Sequence, residues 1–196
     1  MAKPDPSSSK KEKMKNMKWV ITIFLVTIVV SGTISMGSDA LMSVSGIAVA
    51  FLILFLIILV GILFDVIGVA VTSADEKPFH SMAARKVPGA QEAIALLRNA
   101  ERVSSICNDV VGDICGVVSG SASATIAAQI LSNFEFTWPQ IVSLGMSALA
   151  AGLTVGGKAI GKSFAVNSCT AIVHTVGKLI HTVNSLFCKK KKTKKK

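Results

Sequence analysis

The sequence predicts an all-α, polytopic membrane protein with four transmembrane helices, short cytoplasmic helices and a C-terminal amphipathic helix. Apolar residues make up 51% of the 196 residues and charged residues only 16%, whereas about a quarter of the residues in an ordinary soluble domain are charged. Four stretches carry no charged residue at all, namely 19–38, 40–64, 114–134 and 136–157. Each is long enough for a helix of about 20 residues that crosses a bilayer.

The four stretches do not predict a transmembrane helix equally strongly. The second contains AFLILFLIILVGILF at 50–64, and this almost entirely apolar run strongly indicates a transmembrane helix. The third is weaker, because SGSASATIAAQ is small and only mildly apolar. We therefore expect a transmembrane domain over 19–157, interrupted by a cytoplasmic helical loop at 75–102.

The distribution of Lys and Arg predicts the orientation. With four spans and a cytoplasmic N-terminus, residues 1–18, the loop 75–102 and the part after 157 lie inside, and together they hold all 21 cationic residues. The two outside turns hold Asp39 and Glu135 and no cation. Because Lys and Arg concentrate on the cytoplasmic side, both termini are expected there. No basic patch is interleaved with aromatic residues, so a nucleic-acid partner is not expected.

The flanking segments are basic. Residues 1–18 are expected to be a disordered basic N-terminus, and 158–188 an amphipathic juxtamembrane helix at the interface. The tail 189–196 reads KKKKTKKK, and self-repulsion should keep it unfolded. The lysines from Lys189 to Lys196 can anchor the topology and attract anionic lipids of the bilayer.

Three carboxylates lie inside the predicted spans. Asp65, Asp109 and Asp113 come to similar depths in the cytoplasmic half, and the last two share a helix face. No Lys or Arg inside the spans is expected to neutralise them. A divalent cation could, with Ser105 and Asn108 as further oxygen ligands. The alternative is that Asp109 and Asp113 are solvated at a wet cytoplasmic mouth and bind nothing.

Motifs of soluble enzymes are absent. The sequence has no GxSxG, GxxxxGK[ST] or HExxH, and no GxGxxG in a strand–helix context. We therefore do not expect an enzyme.

Residues 64–105 resemble the transmembrane domain of the CorB/CorC (cyclin M) family. The text FDVIGVAVTSAD, followed by KPFHSMAARKVPGAQEAIALLRNAERVSS, is similar to the family pattern FSxSETALTxxN followed by RLRxMAxxGNxxAxxxxxLLxxPERxxS. An ungapped alignment equates Ala70, Ser73, Met82, Ala83, Ala90, Leu96, Leu97, Glu101, Arg102 and Ser105. The Glu position of the family pattern is Gly68 here, and the family's CBS region has no counterpart.

The resemblance implies a function. The family is linked to magnesium and cobalt transport, so the chain is expected to bind or transport such a divalent cation in a bacterial plasma membrane, as a homodimer. The proposed metal ligands are Asp65, Asp109, Asp113, Ser105 and Asn108. The alternative is a non-transporting membrane scaffold or regulatory protein that acts through its cytoplasmic helices and basic tail.

Overall fold

The computed structural model describes residues 6–134 and 137–193. Within those ranges every regular element is helical. The elements are α1 (Pro6–Val44), α2 (Ile47–Ser73), α3 (Lys77–Ala84), α4 (Ala90–Arg98), α5 (Ala100–Ser105), a π-helical segment (Ile106–Gly112), α6 (Asp113–Asn133), α7 (Pro139–Asn167) and α8 (Cys169–Thr193).

Four of these stretches are long and apolar enough to cross a membrane. They are Trp19–Met42, Ile47–Ser73, Ala100–Asn133 and Pro139–Asn167, and they confirm the prediction of an all-helical chain with four candidate spans. The third span combines α5, the π-helical segment and α6. Helix α2 is central, because it packs against α1, α6 and α7.

Helix α1 is longer at both ends than the sequence predicts. It begins at Pro6, so the part of the N-terminus from 6 to 18 is helical and not disordered. Proline suits a first helical turn, and residues 7–18 contain no Gly or Pro that would break the helix. Residues 1–5 lie outside the described part of the chain.

The expected outside turn at Asp39 is also displaced. Helix α1 continues through Asp39 to Val44, and Ser45 and Gly46 connect it to α2. The Asp39 carboxylate accepts a hydrogen bond from the Thr125 hydroxyl at 3.3 Å, so it has a partner without a turn. Glu135, expected in the second outside turn, lies outside the described residues.

The predicted amphipathic helix over 158–188 is divided between two helices. Helix α7 continues past Gly157 to Asn167, and α8 begins at Cys169 and extends to Thr193. Gly156 and Gly157 do not end α7, because glycine in a helix interior is tolerated at a modest cost. The basic tail, expected to be unfolded, is helical as far as Thr193, and 194–196 lie outside the described residues.

Two buried clusters hold the helices together. One joins α1, α2 and α6 through Met42, Ala50, Leu54, Ile58, Ala122 and Ile126. The other lies at the end of the bundle that carries α3, α4 and α8, and it contains Ala70, Val71, Phe79, Ala93, Leu97, Ala165 and Val173. Since α2 contributes to both clusters, its position is fixed at both ends.

Helices α4 and α8 cross in close contact. Gly177 of α8 lies directly against the backbone of Gly89, which precedes α4 and has a φ of 86°. At the same crossing, His181 and Glu92 are 2.7 Å apart from Nδ1 to Oε1. The hydrogen bond with His181 is the main reason why the pKa of Glu92 is lowered from its ordinary value of 4.5.

The lowered pKa of Glu92 predicts an acid-sensitive contact. Its contribution to stability is present above pH 4.5 and is lost as the pH falls through the lowered folded-state pKa. We expect Glu92→Gln to lower Tm at pH 7 and to match the wild type in strong acid. Thermal unfolding across pH 3–7 checks this, and an exposed pair of this kind contributes about 1 kcal/mol or less. A difference in Tm that persists unchanged in acid would contradict it.

Candidate functional site

A buried carboxylate lies inside the second candidate span. Asp65 is flanked by apolar residues of α2, a helix long enough to cross a membrane. Only 4% of its surface is exposed. Its Oδ1 atom is 3.9 Å from the Nζ atom of Lys158 on α7. The expectation that no cation inside the spans would face these carboxylates is therefore wrong for Asp65.

The close approach of α7 to α2 places Lys158 beside Asp65. On either side of Lys158 in the sequence, Gly157 packs directly against Ile62, and a Cβ atom at Gly161 would come within 2.7 Å of Val66. A larger side chain at these positions would require Ile62 or Val66 to move, or α7 to lie further from α2. The short helix-to-helix distance keeps the Lys158 side chain largely covered, with 21% of its surface exposed.

Lys158 also reaches the third span. Its Nζ atom is 3.5 Å from the carbonyl oxygen of Gly112, at the end of the π-helical segment. A Cβ atom at Gly112 would lie 3.3 Å from the same Nζ atom, so glycine leaves room for the ammonium group. The lysine thus joins α2, α7 and the π-helical segment at one point.

Asn108 lies against the same face of α2, one turn further along. Its side chain packs directly on Gly68, which is three residues after Asp65 in the helix. The Asn108 amide nitrogen donates a hydrogen bond to the Ser104 hydroxyl at 3.2 Å. Its carbonyl oxygen Oδ1 is buried and has no hydrogen-bond partner among the described residues.

Two buried oxygens of the site have no hydrogen-bond donor among the described residues. They are Oδ2 of Asp65 and Oδ1 of Asn108, both in contact with α2 or part of it. A buried acceptor without a partner is unfavourable by about 1–3 kcal/mol, and more when it is charged. We name the group formed by Asp65, Asn108, Gly112 and Lys158 the Asp65 site. Its oxygens can accept hydrogen bonds from water or coordinate a hard cation.

The other expected ligands lie off this buried face. Asp109 and Asp113 are both exposed, and Asp109 accepts a hydrogen bond from the Ser105 hydroxyl at 2.8 Å. Among the described residues, no group of three or more His, Cys, Asp or Glu side chains could hold a metal ion. Of the five expected ligands, the structure brings Asp65 and Asn108 to one face of α2 and does not place Ser105, Asp109 or Asp113 with them.

The π-helical segment accounts for part of this difference. Segments of this kind insert an extra residue into the helical turn and are frequent at functional sites. Cys107 and Gly112 are buried in this segment, whereas Asp109 is exposed. Within the same segment, the Asn108 side chain packs on Gly68 of α2.

Lys158 is the residue of the candidate site that the sequence does not predict. The sequence places it in the cytoplasmic segment, because it follows the uncharged stretch 136–157 directly. The available signal was its position between Gly157 and Gly161, since small residues four apart mark a helix face that approaches another helix closely. Lys158 lies within the candidate span Pro139–Asn167.

Comparisons with protein-family models, with curated proteins and with solved structures find no match for this chain. The resemblance to the CorB/CorC family stays a prediction.

Proposed function

We propose that the four candidate spans cross a plasma membrane, with both termini and the α3–α4 segment in the cytoplasm. The support is the unequal distribution of charge, because all 21 Lys and Arg residues lie in three segments that such a topology places on or next to the inner side. The many apolar side chains exposed on α1, α2 and α7 agree with contact to lipid. The basic residues from Lys189 onwards then lie near the anionic lipids of the inner leaflet.

The proposed function is the binding or transport of a divalent cation, magnesium or cobalt, at the Asp65 site. The observation that carries it is the pair of buried oxygens, Asp65 Oδ2 and Asn108 Oδ1, for which the described part of the chain supplies no donor. Carboxylate, carbonyl and water oxygens are the ligands that suit Mg²⁺, which is often held by only one or two carboxylates. An ionisable residue inside a membrane span is also costly and usually functional. In this proposal Asp65 supplies the charge, and Asn108 supplies a neutral oxygen from the facing span.

A non-transporting membrane scaffold is the second candidate. The observation that favours it is the ion pair itself, since Lys158 already lies 3.9 Å from Asp65 and neutralises it. In that case the pair only joins α2 to α7, and the working surfaces are α3, α4 and α8. The homodimer that the resemblance implies fits either candidate and stays a prediction.

Cation flux separates the two candidates. In proteoliposomes we expect Asp65→Asn and Asn108→Ala each to reduce Mg²⁺ or Co²⁺ flux at least about tenfold, because each removes an oxygen ligand or its charge. Flux is followed with an entrapped metal-sensitive dye. Wild-type protein that carries neither ion, although it is folded and correctly inserted, would favour the scaffold.

The exposed aspartates provide a matched control. Asp109→Asn combined with Asp113→Asn removes two carboxylates from the same span, but both are exposed. We expect flux in this double variant to stay within about twofold of the wild type, since surface substitutions away from a site usually have small effects. A large loss of flux would instead assign the ligands to Asp109 and Asp113.

A further inference from the structure

We propose that the Lys158 ammonium group is a built-in counter-ion, which occupies the place of the divalent cation while the Asp65 site is empty and leaves when the cation binds. This inference rests on the proposed function, and it adds a device that regulates the site. It makes Lys158 a competitor for the cation and not a ligand.

The first argument is position. The Nζ atom of Lys158 lies between the Asp65 carboxylate, at 3.9 Å, and the Gly112 carbonyl oxygen, at 3.5 Å. A carboxylate and a backbone carbonyl are also typical ligands of a hard cation. The ammonium group therefore contacts the kind of oxygens that a metal ion would use.

The second argument is that Lys158 satisfies the hydrogen-bonding capacity of the site's oxygens only in part. The contacts of Lys158 with Asp65 and Gly112 are long for charge-assisted hydrogen bonds, which measure about 2.7–2.9 Å. Asp65 Oδ2 and Asn108 Oδ1 accept no hydrogen bond from any residue within 6–134 and 137–193. A permanent structural ion pair would be expected to satisfy its buried oxygens, because partly satisfied polar groups are unfavourable in a low dielectric. The lysine thus neutralises the charge and leaves oxygens free for another ligand.

The third argument is mobility of the side chain. Lys158 has a flexible four-carbon stem and is 21% exposed, whereas the Asp65 side chain is 5% exposed. The lysine can turn its head group towards water while the carboxylate stays inside. Gly112 leaves space next to Nζ, so no side chain at that position blocks the movement.

The fourth argument is the net charge of the site before the cation replaces the ammonium group. With Lys158 in place, one negative and one positive group sum to zero, and closing the empty site between the helices is less unfavourable than it would be without the lysine. Without the lysine, the empty site would carry an uncompensated buried carboxylate. A resident ammonium group therefore lowers the cation affinity and stabilises the empty protein at the same time.

Labelling of the wild-type protein tests the displacement directly. The full chain in detergent is treated with a small acylating reagent, with Mg²⁺ or with choline chloride of equal ionic strength, and the modified lysines are identified by mass spectrometry. We expect Mg²⁺ to raise acylation of Lys158 at least about threefold, because the ammonium group moves into water. Lys162, exposed one turn further along α7, is the internal reference and should not change.

A variant tests the competition. Lys158→Gln removes the charge and keeps a hydrogen-bond donor. We expect the Mg²⁺ concentration that gives half of the maximal thermal stabilisation to fall at least about tenfold, since a unit charge close to the ion is lost. Adding Asp65→Asn to this variant should abolish the stabilisation. If Lys158→Gln does not fold, the labelling of the wild type decides alone.

The outcomes distinguish this inference from the proposed function. Stabilisation of the wild type by Mg²⁺, with unchanged Lys158 acylation and an unchanged half-maximal concentration in Lys158→Gln, overturns the counter-ion and leaves cation binding intact. Absence of stabilisation in both the wild type and Lys158→Gln overturns the proposed function, and the counter-ion with it.

Discussion

Replacement of Lys158 by Met is expected to destabilise the protein by about 3–5 kcal/mol, because it leaves the Asp65 carboxylate buried without a partner. Asp65 is 4% exposed, so bulk water cannot compensate its charge as it would at the surface. The free energy of unfolding in mixed micelles, measured by titration with a denaturing detergent, checks this expectation. The value refers to metal-free protein, since a bound cation would replace the missing charge.

The reciprocal variant should be less damaging. Asp65→Leu leaves Lys158 alone, but that side chain is already 21% exposed and can turn its head group to the surface. The double variant Asp65→Leu with Lys158→Met should recover most of the lost stability, because an apolar pair often replaces a buried ion pair without net loss. Equal losses in the two single variants would show that Lys158 does not gain water when Asp65 is removed. A double variant that is no better than Lys158→Met would show that the pair does not act as a unit.

The helices could be predicted from the sequence because their signal is averaged over many residues. A stretch such as 40–64 needs no single residue to be placed correctly, and the four candidate spans follow from length and apolarity alone. The ends of helices depend on single residues. Asp39 marked a turn in the sequence, but a hydrogen bond from Thr125, far away in the chain, allows α1 to continue through it.

The candidate site could be predicted only in part for the same reason. Asp65 stands out as a charge in an apolar stretch, and Asn108, next to Asp109 in the sequence, is predicted as a further oxygen ligand. The register of the third span depends on one extra residue per turn between Ile106 and Gly112, and composition does not reveal it. The sequence does not predict the position of Lys158, because a cation at the end of a span can face either water or a carboxylate of a neighbouring helix. Only the packing of α7 on α2 decides between them.

The contact between α4 and α8 leads to the second prediction with a large effect. Gly177→Ala should separate these helices, because the new Cβ atom would meet the backbone oxygen of Gly89 and lie 3.1 Å from the backbone nitrogen of Ala93. Backbone atoms cannot rotate away as a flexible side chain can. We expect a loss of about 1–3 kcal/mol from overpacking, although alanine itself favours a helix by up to about 1 kcal/mol over glycine.

A matched glycine isolates the steric cause. Gly145 lies in α7, and a Cβ atom there would meet nothing within 4 Å. Gly145→Ala should therefore leave Tm unchanged or raise it slightly, whereas each kcal/mol lost in Gly177→Ala lowers Tm by about 2–4 °C in a protein of this size. Hydrogen exchange shows where the stability is lost. In Gly177→Ala we expect faster exchange of amides in α4 and α8, with little change in α2. Equal behaviour of the two variants would mean that α8 does not lie against α4 in the folded protein, and that the buried cluster around Val173 is not part of the core.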